Sequence, residues 1–460
     1  MISFLLSILR VVVDFMRVNK LVYGTLIFLF LSALLNTSFL AADLRINMSD
    51  RSLQWGIWPL ERSDTANTGR SPFISAPNSG KILWTYNLSN NISFSYNTNI
   101  VVDSNGNIYF STQNGYVYSI DMNGTFRWRT NINNSIIFSG GPFIGPNNVV
   151  YVKNNFGIPP PFYTPNFYLY AISERGEILW FCNFSENGVA SLTFDENGTT
   201  YAGSYDGIYV FCSNGTLKEH YTFPNHIYGL AFKDEILYAC TEGKIYALEK
   251  DSKVIWSVDI DIPKTPPVVG DDGTIYCVTI NHTLYAISST GEVKWTKDGV
   301  MDMGYGYKSS IFAVLSTDDA DKRILSKLSA NSGEVLWKRT IDGYFVDDLV
   351  IDGNNYVYVA TSNAKNYTSQ IYYFSPDGKR VWRLNFNEEI TTKMALNSRG
   401  TLYVGTTNGT LYAIGGEENN QDNGGGNNII GWYCSIAIGG GIVAAVWILY
   451  YVKRGRKYEK

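Results

Sequence analysis

The sequence predicts an all-β chain folded as an eight-bladed β-propeller of four-stranded antiparallel blades, and three observations predict it. A unit recurs whose end carries a Gly-x-x-x-Trp strand, a strand centred on Tyr recurs as often, and a third resembling Leu-Tyr-Ala-Ile recurs beside them. Composition points the same way: 33 Tyr, 24 Phe, 11 Trp and 42 Gly favour many short strands joined by tight turns.

Taken in chain order, GKILW (80–84), GTFRW (124–128), GEILW (176–180), GEVKW (291–295), GEVLW (333–337) and GKRVW (378–382) each place Trp four residues after Gly. SKVIW (252–256) carries Ser for Gly, and GTLKE (215–219) carries Glu219 in the Trp position, which completes eight strands. The repeat indoles are therefore Trp84, Trp128, Trp180, Trp256, Trp295, Trp337 and Trp382. The second strand centres on Tyr109, Tyr151, Tyr201, Tyr238, Tyr276, Phe312, Tyr358 and Tyr403. Hairpin dipeptides such as Asn114-Gly115, Asp206-Gly207 and Asn408-Gly409 follow it, supplying the positive φ that a tight antiparallel turn needs. Adding the stretch before each Tyr strand, for example Thr265 to Gly270, gives four strands per unit, which is one propeller blade.

The last unit stops at LYAIGG without a Trp strand, whereas the first Trp strand precedes any complete unit. Lys81 to Leu88 is therefore expected to form the outer strand of the final blade, closing the ring and leaving no unpaired sheet edge. The propeller is assigned to residues 80–416.

These repeats resemble the pyrroloquinoline-quinone-like (PQQ-like) propeller repeat, of the wider WD40/YVTN-like superfamily, in which Ala, Gly and Trp recur so that the indole packs between blades. Ala171, Gly176 and Trp180 match that pattern, as do Ala286, Gly291 and Trp295, although most turns are one residue shorter than the family's. The segment 43–79, with WPLERSDTANTGRS at Trp58 to Ser71, resembles the lead-in of secreted members. Neither the Gly-His nor the Trp-Asp signature of WD-type propellers recurs. The resemblance implies interblade packing for the seven indoles. Members that are quinoprotein dehydrogenases hold the quinone with a metal, carboxylates and a vicinal cysteine pair, and this sequence carries no recognisable set of that kind. No cofactor, metal or catalytic residue is expected.

The flanks carry their own signals. Residues 429–452 run without a charge for long enough to cross a bilayer, which takes roughly 20 apolar residues. Lys453, Arg454, Arg456, Lys457 and Lys460 follow, and a polar Asn/Gly-rich linker (417–428) with Glu417, Glu418 and Asp422 precedes, so the positive-inside rule places the tail 453–460 in the cytoplasm and the body outside. Residues 1–42 read as a signal peptide or signal anchor, with Met16 as an alternative start; retention would make the chain two-pass. Twelve N-x-S/T sequons between Asn36 and Asn408 suit a glycoprotein of an exported body. The body's cysteines, Cys182, Cys212, Cys240 and Cys277, are expected as small buried side chains, with a Cys182–Cys212 bridge as the alternative that export permits.

The net charge of −4 offers no general attraction to phosphate backbones, which argues against nucleic acid as partner. Asp271-Asp272, Asp318-Asp319 with Asp321, and Asp347-Asp348 are expected at turns or strand starts, where Asp serves turn geometry. Loop irregularity marks the candidate contact face. An insertion with Phe156, Pro159, Pro160, Pro161, Phe162 and Tyr163 lies between the second and third strands of the second blade, and Asp318, Asp319, Asn366 and Tyr367 occupy the same slot in later blades. The expected function is a membrane-anchored, non-catalytic binding or scaffold module for a protein or glycan partner, with a quinoprotein-like dehydrogenase or a ligand sensor as the alternative.

Overall fold

The computed structural model describes residues 57–415, apart from 61, 76–78, 89–91, 96–97, 133–140, 155–166, 185–187 and 364. The signal or anchor segment, the linker 417–428, the apolar segment 429–452 and the basic tail lie outside the described residues. Among the described residues no helix is long and apolar enough to cross a membrane.

Eight four-stranded antiparallel sheets follow one another along the chain. Blades 1 to 7 span 101–131, 143–183, 189–222, 227–259, 268–297, 300–342 and 345–386, and blade 8 joins 395–415 to 81–87. The strand Lys81–Asn87 pairs antiparallel with Thr410–Gly415, setting Trp84 opposite Ala413. The N-terminal strand thus supplies the outer edge of the last blade. At the inner edge, the Lys393 N–H donates to the Thr98 carbonyl (2.9 Å), joining blade 8 to blade 1.

The burial pattern follows from each blade lying between two others. Second strands such as Ile275–Val278 are buried on both faces, as an element with packing on either side must be, and so read as continuous apolar runs. Outer strands alternate between exposed and half-buried because only their inward side chains meet the next blade, and the half-buried positions hold the tryptophans. The core consequently lies between blades: Val268, Tyr276 and Leu284 of blade 5 pack with Met303, Tyr305 and Ile311 of blade 6.

Each of the seven repeat indoles lies on the glycine that precedes the following blade's outer strand, which in all but the last blade belongs to that blade's third turn. A Cβ on Gly333 would stand 2.8 Å from the Trp295 ring, and the same clash recurs between Gly124 and Trp84 at 2.9 Å. Both glycines also hold positive φ, 70° and 84°, so glycine is required on two counts. Five of these indoles donate N–H to a carbonyl of that turn, Trp128 to Glu174 at 2.8 Å and Trp295 to Ala330 at 3.1 Å among them. Burying such a ring contributes a few kcal/mol per seam, about 25 cal/mol per Å² of apolar area.

The seam between blades 3 and 4 departs from this plan on both sides. Glu219 stands opposite Val210 where the other blades place Trp, and Ser252 takes the glycine position at φ 60°. The Tyr221 hydroxyl donates to Glu219 instead. An open groove of about 430 Å³, lined by His220, Tyr221, Phe223, Tyr246 and Ser252, marks this seam.

Two expectations need correction. Cys240 and Cys277 are buried, but Cys182 is half-buried on an outer strand and Cys212 is exposed in the turn after a third strand, because those positions face away from the interblade core. Asp347 and Asp348 lie within the inner strand Phe345–Ile351, not at its start or at a turn, where a bulge between Val346 and Asp348 re-aims the chain.

Candidate functional site

Inner strands of a propeller have one edge with no neighbouring strand, so their backbone groups need partners from elsewhere. The lead-in segment supplies them. Trp58 exchanges backbone hydrogen bonds with Val102 of blade 1, and the Pro59 carbonyl accepts from Ile144 of blade 2. Carbonyls of Thr65, Ala66 and Thr68 accept from Phe232, Val269 and Tyr305 of blades 4, 5 and 6, and Ser71 and Gly69 bracket Ile351 of blade 7. Between these anchor points the segment folds on itself, the Gly69 N–H returning to the Arg62 carbonyl at 2.9 Å. It plugs the channel at the end where the inner strands finish.

Side chains lock the plug. Arg62 donates to Asp302 and to the Met303 carbonyl on the inner strand of blade 6. Asn67 donates to carbonyls of blades 4 and 5, Leu230 at 2.8 Å and Pro267 at 3.0 Å. Nearer the surface, Arg70 holds Asp271 through both guanidinium nitrogens, 2.9 and 2.6 Å, and lies over the Tyr307 ring. Asp352 accepts from the Ser75 backbone and hydroxyl.

The buried Asp302, Asp348 and Arg62, with the half-buried Lys393, thus form a charge cluster at the channel. Burial pushes the Asp302 carboxyl up, but Arg62, Lys393 and the Met303 N–H together outweigh it and hold the group below the usual carboxylate range. Asp348 accepts from the N–H groups of Leu349 (2.9 Å) and Met394 (2.7 Å). For it burial wins, and with the neighbouring Asp302 charge raises the pKa to about 6 against the pull of Lys393 and Arg62. A carboxyl raised above its unfolded value near 3.9 stabilises the fold most below that value, and the contribution is lost as pH rises through about 6. Compared with an Asp348→Asn variant, the wild type is expected to lose roughly 2–3 kcal/mol between pH 4 and pH 6.5 and nothing further above it. Urea denaturation of both proteins across that range checks this.

Because the first turn of every blade lies at the plugged end, antiparallel alternation puts all second-to-third-strand loops on the opposite face. Asp318 and Asp319 of blade 6 and Asn366 and Tyr367 of blade 7 lie there, all exposed, Tyr367 at 67%. An ion pair between Lys365 and Asp321 joins these two loops into one sector. Phe156, Pro159, Pro160, Pro161, Phe162 and Tyr163 lie outside the described residues. The channel cluster has no signal along the chain: Arg62 lies in the lead-in pattern but 240 positions from Asp302, which sits in no motif.

The model of the family described as outer membrane protein assembly factor BamB matches residues 165–304 and 367–421. No curated protein matches the chain's sequence significantly. Among solved structures, the quinohemoprotein alcohol dehydrogenase from Comamonas testosteroni superposes with a TM-score of 0.63 at 12% identity, covering 82% of this chain and 83% of that one. BamB from Moraxella catarrhalis gives 0.55 at 16%, covering 73% and 99%. The quinohemoprotein alcohol dehydrogenase ADHIIG from Pseudomonas putida HK5 gives 0.60 at 14%, covering 83% of each. At such identities these likenesses concern the fold.

The residues present do not fit a quinone and its metal. Asp302 is neutralised by Arg62, Asp348 is held by two backbone N–H groups, and the described residues contain no cluster of metal-ligating side chains. Cys240 and Cys277 sit in separate blades, within an interblade core cluster. With repeats that the family model matches over part of its length and eight closed blades in its fold, the chain is an eight-bladed β-propeller similar to PQQ-like repeat proteins.

Proposed function

We propose that the chain is a non-catalytic binding or scaffold module, anchored to the membrane by residues 429–452 with its propeller outside the cell, and that it engages a protein or surface polymer through the loop face opposite the plug. The observation that carries this reading is the plug itself. It closes one end of the channel and engages the buried carboxylates internally, so the opposite face, with its irregular loops, is the surface left for recognition. The charge-free run at 429–452 and the cations after it support the anchoring and its direction. A family model described by an assembly role, and not by a conversion, supports the non-catalytic part.

Affinity capture of the full chain from native membranes tests the proposal. A face variant (Asp318→Ala, Asp319→Ala, Tyr367→Ala) is expected to lose the captured partner. A control in the third turns at the plugged end (Arg175→Ala, Lys253→Ala) is expected to keep it. Equal capture by both variants, or quinone-dependent alcohol oxidation by the purified chain, would overturn the reading.

A further inference from the structure

We infer that Cys240 and Cys277 form a disulfide that ties blade 4 to blade 5 when the chain folds under oxidising conditions. Cys240 lies on the second strand of blade 4, Ile236–Thr241, and Cys277 on the second strand of blade 5, Ile275–Val278. Successive side chains of a strand point to opposite faces. Cys240 follows Tyr238 by two positions and shares its face; Cys277 follows Tyr276 by one and takes the other face. Tyr276 points toward blade 6, stacking on Tyr305 at 5.6 Å, so Cys277 points back toward blade 4 and the two thiols converge. Their sulfurs stand 3.6 Å apart, both residues wholly buried in one apolar cluster.

Nothing else in that cluster competes strongly for the thiols. Cys277 has only long contacts to the Thr265 and Val278 carbonyls, 3.7 and 3.9 Å. Burial, then the neighbouring sulfur, pushes the Cys240 thiol well up, so in the closed seam it stays protonated and unreactive. The bond therefore forms while the seam is open. The Cys240 thiolate attacks one sulfur of a small disulfide such as oxidised glutathione, giving a mixed disulfide and one glutathione thiolate. The Cys277 thiolate then attacks the Cys240 sulfur and expels the second glutathione, so two protein thiols are oxidised, one small disulfide is reduced, and the two protons leave the protein thiols for the two glutathione thiolates. Contraction to about 2.05 Å requires side-chain rotation and a small approach of the strands, and the finished bond is shielded from reductants by the cluster around it.

In the living cell the oxidant's availability rests on the proposed export; the pair's competence does not. The test therefore uses the purified full chain in detergent, reduced and unfolded, then refolded with oxidised and reduced glutathione, alkylated under denaturing conditions and mapped by mass spectrometry. A second sample stays folded in sub-denaturing urea with the same buffer, which gives the readout without refolding. The expected result in both is a Cys240–Cys277 cross-linked peptide lighter by two hydrogens, with Cys182 and Cys212 alkylated. The oxidised wild type should lose thermal stability on reduction, and a Cys240→Ser/Cys277→Ser variant should show no such shift. Alkylation of both cysteines in both samples would overturn the inference. If the pair oxidises in vitro while protein taken directly from native membranes carries both thiols reduced, the bond stands and it is the export reading that fails.

Discussion

Deletion of Gly80 to Leu88 is expected to abolish the folded propeller, whereas an equal deletion from residues 155–163 is expected to leave it folded. The first removes the strand that pairs at six positions with Thr410–Gly415, the Gly80 that receives Trp382, and the Trp84 that covers Gly124. At about 1 kcal/mol net per hydrogen bond and a few kcal/mol per buried indole, the loss is about 10 kcal/mol. That is comparable with the whole stability of a typical domain, roughly 5–15 kcal/mol. It also opens the last blade's third strand to edge-to-edge association. Limited proteolysis and size-exclusion chromatography check both outcomes: rapid digestion and aggregation for the first, wild-type behaviour for the second. A protease-resistant monomer lacking 80–88 would refute the closure argument.

Replacing Arg62 by Met is expected to destabilise the fold by about 3–5 kcal/mol, because it leaves the buried Asp302 carboxylate without its counter-charge. The loss concerns desolvation more than attraction. An Arg62→Met/Asp302→Leu double variant should therefore recover most of the stability, since an apolar pair of similar volume avoids burying either charge. The single variant should also recover in acid, as Asp302 takes up a proton and ceases to be a buried anion. Urea denaturation of the wild type, both single variants and the double variant, as a thermodynamic cycle, measures the coupling. Additive losses with no dependence on pH would show that the plug is held by its backbone alone.

Most of the ring could be read from the chain because its determinants are local. The Gly-x-x-x-Trp unit specifies a tight turn with positive φ at glycine and an indole at a fixed distance along the next strand, and both features are present at Gly333 with Trp337. Even the defect was visible, as Glu219 in a Trp position and Ser252 in a Gly position. That these two meet at one seam was not, because they belong to successive units and nothing in the sequence says which indole faces which turn. Asp348 was misjudged for a related reason. An acidic pair between apolar strands reads as a turn, and only a bulge in the folded inner strand accounts for a carboxyl buried there.

By itself the sequence determined the blade number, the strand order and the closure, since these depend on counting recurrent short-range patterns and on an orphan strand at one end that matches a vacancy at the other. Only the tertiary structure decided what happens at the middle of the ring. The lead-in becomes a plug because the inner strands converge with unsatisfied backbone edges, and Arg62 meets Asp302 because the ring brings residues 240 positions apart to one channel. Cys240 meets Cys277 because neighbouring blades turn opposite strand faces toward each other. Such contacts depend on three-dimensional closure, and no periodicity along the chain encodes them.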